Sequence, residues 1–345
     1  MSARITLHST AHADTNEGRL ATAIAAALAP DYQVEKVSTR QATLSALRGS
    51  DALAVHSPLG FSFGAILLAK LLGRPVTAFV WDLYPVKICG RRYNRRVRRL
   101  IVDLIERLAL RISDNLIVQT SDFLSSPILA RALVIPFWYI PPHPVARATR
   151  KPDAAGPLRF AFAGQINQTR GLTETVVSLD AMLNGPAFLH IYSRDPFEPP
   201  AGLRNLTVSQ CGHLSKEQLA RSLADDDIGL VSLHPGFDGP GFPSKSLDYL
   251  AAGLPIAYFG PALPQYTRLL EETDCGISAG TTVSPNFYQL RDPQGNFQQR
   301  ANAFFEQVRA DPARLKSHFA TVIERTKRLS TAGSSLSSTD NPLEK

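Results

Sequence analysis

Serine, lysine and aspartate stand close together in Phe242-Pro243-Ser244-Lys245-Ser246-Leu247-Asp248-Tyr249-Leu250-Ala251-Ala252-Gly253-Leu254-Pro255-Ile256. The loop before them, His234-Pro235-Gly236-Phe237-Asp238-Gly239-Pro240-Gly241, consists of turn residues. Leu247, Leu250 and Ala251 recur on one helical face, Gly253 stops the helix, and Pro255 follows the stop. Ile256 to Phe259 reads as a buried strand. Ser244 is placed as an N-cap and Lys245 falls in the first turn. Free backbone N–H groups, the positive end of a helix and a lysine suit a diphosphate. Asp248, one turn on, can accept hydrogen bonds from sugar hydroxyls. An ordinary capped helix with a surface lysine has the same letters, so the surrounding elements must decide.

A chain of 345 residues suggests two domains, and 44% hydrophobic content fills two cores. Cys89, Cys211 and Cys275 show no CxxC spacing and read as free thiols of a reducing compartment. The Ala-rich run from Leu20 to Ala29 and the run from Phe61 to Leu72 are too short to span a bilayer, and no signal pattern precedes them. A soluble cytoplasmic protein is expected. The net charge of +7 is concentrated: Arg91, Arg92, Arg95, Arg96, Arg98 and Arg99 are six arginines in nine residues. That cluster invites a nucleic-acid reading, but no RRM, KH or helix-turn-helix pattern accompanies it.

The positioning elements alternate. Strands are expected at Arg4–Leu7, Val34–Val37, Asp51–His56, Val76–Val80, Asn115–Gln119 and Val134–Phe137, with helices at Arg19–Leu28 and Phe61–Leu72. After the arginines, Val97, Leu100, Ile101, Leu104, Ile105, Leu108 and Ala109 form a helical apolar stripe, with Glu106 and Arg107 on the outer side. Pro136 to Pro157 is proline-rich and reads as a linker. Alternation then restarts, with strands at Arg159–Ala163, Phe188–Tyr192, Leu206–Val208 and Ile228–Leu233 and helices at Leu172–Leu183, Lys216–Leu223 and Tyr266–Thr273. Asp225-Asp226-Asp227 reads as a solvated cap, and no Asp-x-Asp metal motif occurs. Strands alternating with helices of this length imply two α/β domains with parallel sheets. In such sheets ligands gather at the carboxyl ends of strands, where His56 and Asp82 fall.

Four stretches carry a resemblance. Asp51-Ala52-Leu53-Ala54-Val55-His56-Ser57-Pro58, Trp81-Asp82-Leu83-Tyr84-Pro85, Gly164-Gln165-Ile166-Asn167-Gln168-Thr169-Arg170-Gly171 and the stretch at Phe242–Ile256 are similar, in that order, to motifs of GT-B glycosyltransferases of the retaining family-4-like type. The resemblance covers roughly residues 3 to 325. It implies two doubly wound, Rossmann-like domains facing a cleft: an acceptor-side domain at 1–145 and a nucleotide-sugar domain at 157–297. Helices at 298–329 would return to the first domain, and 330–345 would be a disordered tail.

The resemblance further implies transfer of a sugar from a UDP-, GDP- or dTDP-sugar to a saccharide acceptor, with retention and without a metal or other cofactor. Arg170 and Lys245 would meet the diphosphate, and Gly164, Gln165, Ser244, Asp248 and Asp238 would line the donor site. His56 and Asp82 would face the acceptor. The chain departs from the family pattern at Gln165, where relatives carry Arg, at Pro240, where they carry the first of two acids, and at Trp81 before Asp82. Bacterial relatives of the polysaccharide type extend saccharides on polyprenyl diphosphate. The expected partners are therefore such an acceptor and the anionic inner membrane surface, met peripherally through Arg91–Arg99. A GT-B chain that has lost activity and serves as a partner or binding protein is the alternative, and Gln165 and Pro240 keep it open.

Overall fold

A computed structural model describes residues 2–336 apart from 11–15, 30, 39, 84–86, 89–90, 93–96, 142–155, 280–285 and 292–295. The chain divides into two units. One comprises Met1–Tyr84, Arg96–Tyr139 and Ala310–Lys345; the other comprises Pro85–Arg95 and Ile140–Arg309.

The first unit opens with β1 (Arg4–His8), α1 (Asn16–Leu28), β2 (Gln33–Val37), α2 (Arg40–Arg48), β3 (Ala52–His56), α3 (Phe63–Leu71) and β4 (Val76–Val80). Two short strands, β5 (Lys87–Ile88) and β6 (Arg91–Arg92), then group with the second unit. The chain re-enters the first unit as α4 (Val97–Ile112), β7 (Asn115–Val118) and β8 (Leu133–Val134). The sheet order is β2-β1-β3-β4-β7-β8, parallel throughout. Every residue of β3 and β4 is buried, as expected for strands covered on both faces.

The second unit continues with β9 (Leu158–Ala163), α5 (Leu172–Met182), β10 (Ala187–Tyr192), β11 (Leu206–Gln210), α6 (Lys216–Leu223), β12 (Ile228–Ser232) and β13 (Phe237–Asp238). α7 (Lys245–Ala251), β14 (Ile256–Phe259), α8 (Pro264–Glu272), β15 (Gly276–Ser278) and α9 (Phe297–Val308) complete it, and α10 (Pro312–Leu336) belongs to the first unit. Its sheet is β11-β10-β9-β12-β14-β15, again parallel. The order of strands reverses between β9 and β12 here, and between β1 and β3 in the first unit. Such points open a crevice at the carboxyl ends of the strands.

The structure departs from the sequence reading in three places. The helical segment expected over 298–329 is two helices assigned to different units. Pro312, at the start of α10, has no N–H with which to continue α9, and Asp311 accepts from the Arg314 amide at 3.0 Å in the manner of a cap. α10 also runs to Leu336, so of the expected tail only 337–345 remain, outside the described residues. The arginine cluster does not simply lead into a helix: Arg91–Arg92 form β6, paired antiparallel with β5. Finally, α4 is turned the other way. Glu106 is buried, while Leu100, Ile101, Leu104 and Leu108 are exposed. The cause is the 3-10 turn Leu59–Ser62, whose opening N–H groups need acceptors. Glu106 accepts from the amides of Leu59 at 2.9 Å and Gly60 at 2.6 Å. Burial pushes its carboxyl above the usual range against the lowering effect of those bonds.

α10 docks through buried Leu315, His318 and Phe319, with His318 Nε2 3.3 Å from Thr77 Oγ1 on β4. Burial lowers the His318 imidazole from 6.5 to about 4. As pH falls, the unfolded chain takes up this proton first, so stability present above 6.5 is lost on the way down to about 4. The loss should reach roughly 3 kcal/mol at the foot of that window. Thermal melts from pH 7.5 to 4.5 should show a shallower decline for His318→Gln than for the native chain; equal declines would remove His318 from the account.

Candidate functional site

In the second unit the register pairs Ala163 with Tyr192, so the loops leaving β9 and β10 start side by side. They enclose a cavity of about 290 Å³ whose wall includes Gly164, Gln165, Arg194, His213, Leu219 and Lys245. The loops are tied together: Asp195 Oδ2 accepts from the Ile166 amide at 2.8 Å, and Ser193 Oγ accepts from the Asp195 amide at 3.1 Å. Arg194 Nη2 donates to His213 Nε2 at 2.8 Å. Beyond His213, a capping box of Ser215 and Gln218 fixes the start of α6.

Beneath this wall, Asp226 holds two side chains of β10. Tyr192 donates to its Oδ2 at 3.0 Å, and His190 Nδ1 lies 2.6 Å from its Oδ1. The bond to Asp226 raises the His190 pKa, and burial raises that of Asp226. Asp227 pairs with Arg291 Nη2 at 2.9 Å and accepts from the Arg159 amide at 3.0 Å. Asp226 and Asp227 are therefore buried structural acids, not the solvated cap the sequence suggested. They sit at the entry to β12, where flanking strands supply donors that spacing along the chain cannot reveal.

α7 is anchored from inside. The hydroxyl of buried Tyr249 accepts from the Ala163 amide at 2.7 Å and donates to Leu230 O at 3.3 Å. Lys245 lies one turn before Tyr249, so its position is set against the same strand end that forms the cavity wall. Lys245 Nζ donates to Asp248 Oδ2 at 2.9 Å, bringing two of the expected site residues together. Ser244 does not act as the expected cap. Its backbone is already helical (φ −60°, ψ −21°) and its side chain makes no capping bond. The first turn starts earlier, with the Ser246 amide donating to Pro243 O at 3.0 Å, because Pro243 takes the leading place.

Arg170 lies just ahead of α5, half-buried, and does not line the cavity. Its backbone is clamped at the β9/β12 reversal: the Ser232 hydroxyl donates to Arg170 O, and the His234 amide donates to Thr169 O at 2.9 Å. Gly171 has φ +57°, and a Cβ there would stand 2.5 Å from His234 Cα, so only glycine fits. Asp238 is exposed in β13, opposite Lys87 of β5, and is not part of the cavity wall.

His56 and Asp82 belong to the first unit. His56 is buried at the end of β3, stacked on Trp81 with centroids 4.8 Å apart. Its Nδ1 is 3.0 Å from Ser57 O, which can only accept, so Nδ1 carries the proton and Nε2 accepts from Ser9 Oγ at 2.8 Å. Asp82 is exposed on the loop after β4. The neighbouring strand end holds two residues the sequence reading passed over. Val80 pairs with Val118, so Gln119 and Thr120 leave β7 beside Trp81. Both are buried, and neither the Gln119 amide nor Thr120 Oγ1 has a hydrogen-bond partner among the described residues. The available signal was a Gln-Thr pair directly after an apolar strand, at the sheet edge where ligands bind.

Among the described residues no group of three or more His, Cys, Asp or Glu could hold a metal ion, and no helix is long and apolar enough to cross a membrane.

No family model matches the chain, and no curated protein sequence matches it. Solved structures do. A sucrose-phosphate synthase from Thermosynechococcus elongatus is similar over 94% of this chain and 100% of its own, with a TM-score of 0.56 and 15% identity. An α,α-trehalose 6-phosphate synthase from Burkholderia multivorans is similar over 96% of this chain and 100% of its own, with a TM-score of 0.52 and 11% identity. With two parallel six-stranded α/β units built in this order, the chain has the GT-B fold of those glycosyltransferases.

Proposed function

We propose that the protein is a glycosyltransferase that takes a sugar from a nucleoside diphosphate donor, bound by the second unit, and adds it to a saccharide carried on polyprenyl diphosphate. The observation that carries this reading is the cavity at the carboxyl ends of β9 and β10, with Lys245 in its wall. Departure of the nucleotide breaks the bond between the anomeric carbon and the diphosphate oxygen, and negative charge grows on that oxygen. Lys245 and Arg170 are cations assigned to stabilise it, and no metal is assigned a role. Gly164 and Gln165 line the nucleotide side, and Asp248 both positions Lys245 and meets sugar hydroxyls. Asp238 and Ser244 stay at the rim of the reading, since neither lines the cavity. Transfer with retention follows the family resemblance.

In the first unit, Asp82 is assigned to an acceptor hydroxyl, and His56 positions Trp81 through its ring contact. The Gln119 amide and Thr120 hydroxyl, without a partner among the described residues, suit the same polar acceptor. An unsatisfied buried amide costs stability, about 1–3 kcal/mol. Gln119→Leu should therefore melt no lower than the native chain while raising KM for the acceptor roughly tenfold. A melting point that falls with KM unchanged would mark Gln119 as structural.

The test of the whole reading is incubation with UDP-, GDP- and dTDP-sugars and a polyprenyl-diphosphate saccharide, followed by mass spectrometry of the lipid. A single added sugar residue is expected from one donor class. Donor binding without any transfer would favour the partner-protein alternative, for which Gln165 in place of an arginine is the motivating observation.

A further inference from the structure

Amphipathic helices of a globular domain bury their apolar face, and α4 exposes its own. Leu100, Ile101, Leu104 and Leu108 are 53%, 56%, 66% and 43% exposed, while Asp103 and Glu106 are 3% and 2% exposed. The first four follow one another at spacings of one, three and four residues and form a single outward stripe. α4 packs against α3 and the Leu59–Ser62 turn, and these add Phe61 at 72% and Leu71 at 85% exposure. The inverted orientation is enforced by Glu106 on the Leu59 and Gly60 amides. The result is a stripe of large apolar side chains on the outward face of α4, with two more exposed on the elements it packs against; water disfavours such a stripe, and it marks a contact surface.

Charge selects the occupant. From 91 to 112 the sequence holds eight arginines and two acids, and both acids, Asp103 and Glu106, are buried. A second copy of the chain would bring arginines against arginines. An anionic bilayer offers what the stripe and the arginines require together: acyl chains beneath a layer of negative headgroups. We infer that α4 lies in the plane of an anionic membrane, its leucines entering the acyl boundary and the exposed Arg107 and Arg111 of the same helix meeting lipid phosphates. The inference names the docking element for the membrane-borne acceptor proposed above, and rests on that reading for its purpose. It differs from docking through arginines alone, because it assigns the apolar stripe to lipid rather than to the sheet.

The test uses the full chain and vesicles of phosphatidylglycerol with phosphatidylcholine, against phosphatidylcholine alone, in low and high salt. Sedimentation with the anionic vesicles should be strong and weaken with salt without vanishing. Leu100→Glu, Leu104→Glu and Leu108→Glu combined should lower binding roughly a hundredfold. These positions are exposed, so the melting point should hold. Leu104→Trp should shift its emission to the blue on anionic vesicles and be quenched by lipids brominated in the acyl chain. Three results would overturn the inference: no binding to anionic vesicles, full binding by the triple variant, or a dimer that the triple variant dissolves. None of these measurements involves donor or acceptor, so a failure of glycosyl transfer leaves them standing, and their failure leaves the donor site standing.

Discussion

Lys245→Ala should lower kcat/KM for nucleotide-sugar use by roughly 30- to 1,000-fold, about 2–4 kcal/mol, the range for losing one contact to a developing oxyanion. Arg170→Ala should fall in the same range. Lys245 carries the sharper expectation because it lies in the cavity wall, whereas Arg170 is placed by its clamped backbone. Lys245→Ala also removes the 2.9 Å cation partner of Asp248, and the added net negative charge there would disfavour a diphosphate. The double variant with Asp248→Ala separates these effects. If Lys245 itself stabilises the leaving group, the double variant stays slow; recovery to native rates would mean that the lysine only neutralises Asp248. Asp248→Ala alone should mainly raise KM, since contacts to sugar hydroxyls change little during transfer. A loss confined to kcat would contradict that role.

Gly229→Ala should be strongly damaging to the second unit. A Cβ at Gly229 would stand 2.4 Å from Tyr249 Cγ, with Cδ2 at 2.6 Å and Cβ at 2.8 Å. Tyr249 cannot yield, because it is buried and its hydroxyl is bonded to both Ala163 N and Leu230 O. Overpacking of this kind costs about 1–3 kcal/mol, and displacing the ring exposes a buried amide to a further loss of about 1–3 kcal/mol. The urea midpoint for the second unit should drop accordingly. Donor affinity should drop as well, since α7 and Lys245 move with Tyr249. An unchanged midpoint would mean that β12 and α7 are less tightly packed than these distances require.

Much of the fold was legible in the sequence because parallel strands buried on both faces write themselves as apolar runs. Ala52–His56, Val76–Val80 and Ile228–Ser232 are of that kind. β5, β6 and β13 are two residues each, too short for a local pattern to announce them, and β13 meets β5 only across a long sequence distance, with Asp238 opposite Lys87. The start of α10 was legible but passed over: Asp311-Pro312 is a cap followed by a proline. α4 misled for a physical reason. A carboxylate belongs outside by composition, and Glu106 goes inside only because amides 46 and 47 residues away receive it. At the candidate site, Lys245 was readable from helix chemistry, Gly164 and Gln165 came from the family resemblance, and the three line one cavity. Arg194 and His213 were not, since nothing in their spacing shows that their loops meet. Ser244 failed as a cap because the proline before it starts the turn.

The central claim is that the cavity beside Lys245 holds a nucleoside diphosphate sugar. Calorimetric titration of the native chain and of Lys245→Ala with UDP-, GDP- and dTDP-sugars tests it most directly. One donor class should bind the native chain, stabilise it by about 2.7 kcal/mol at a hundred times its Kd, and bind the variant at least about tenfold more weakly. Equal binding to both proteins, or no heat from any of the three classes at millimolar concentration, would contradict the account.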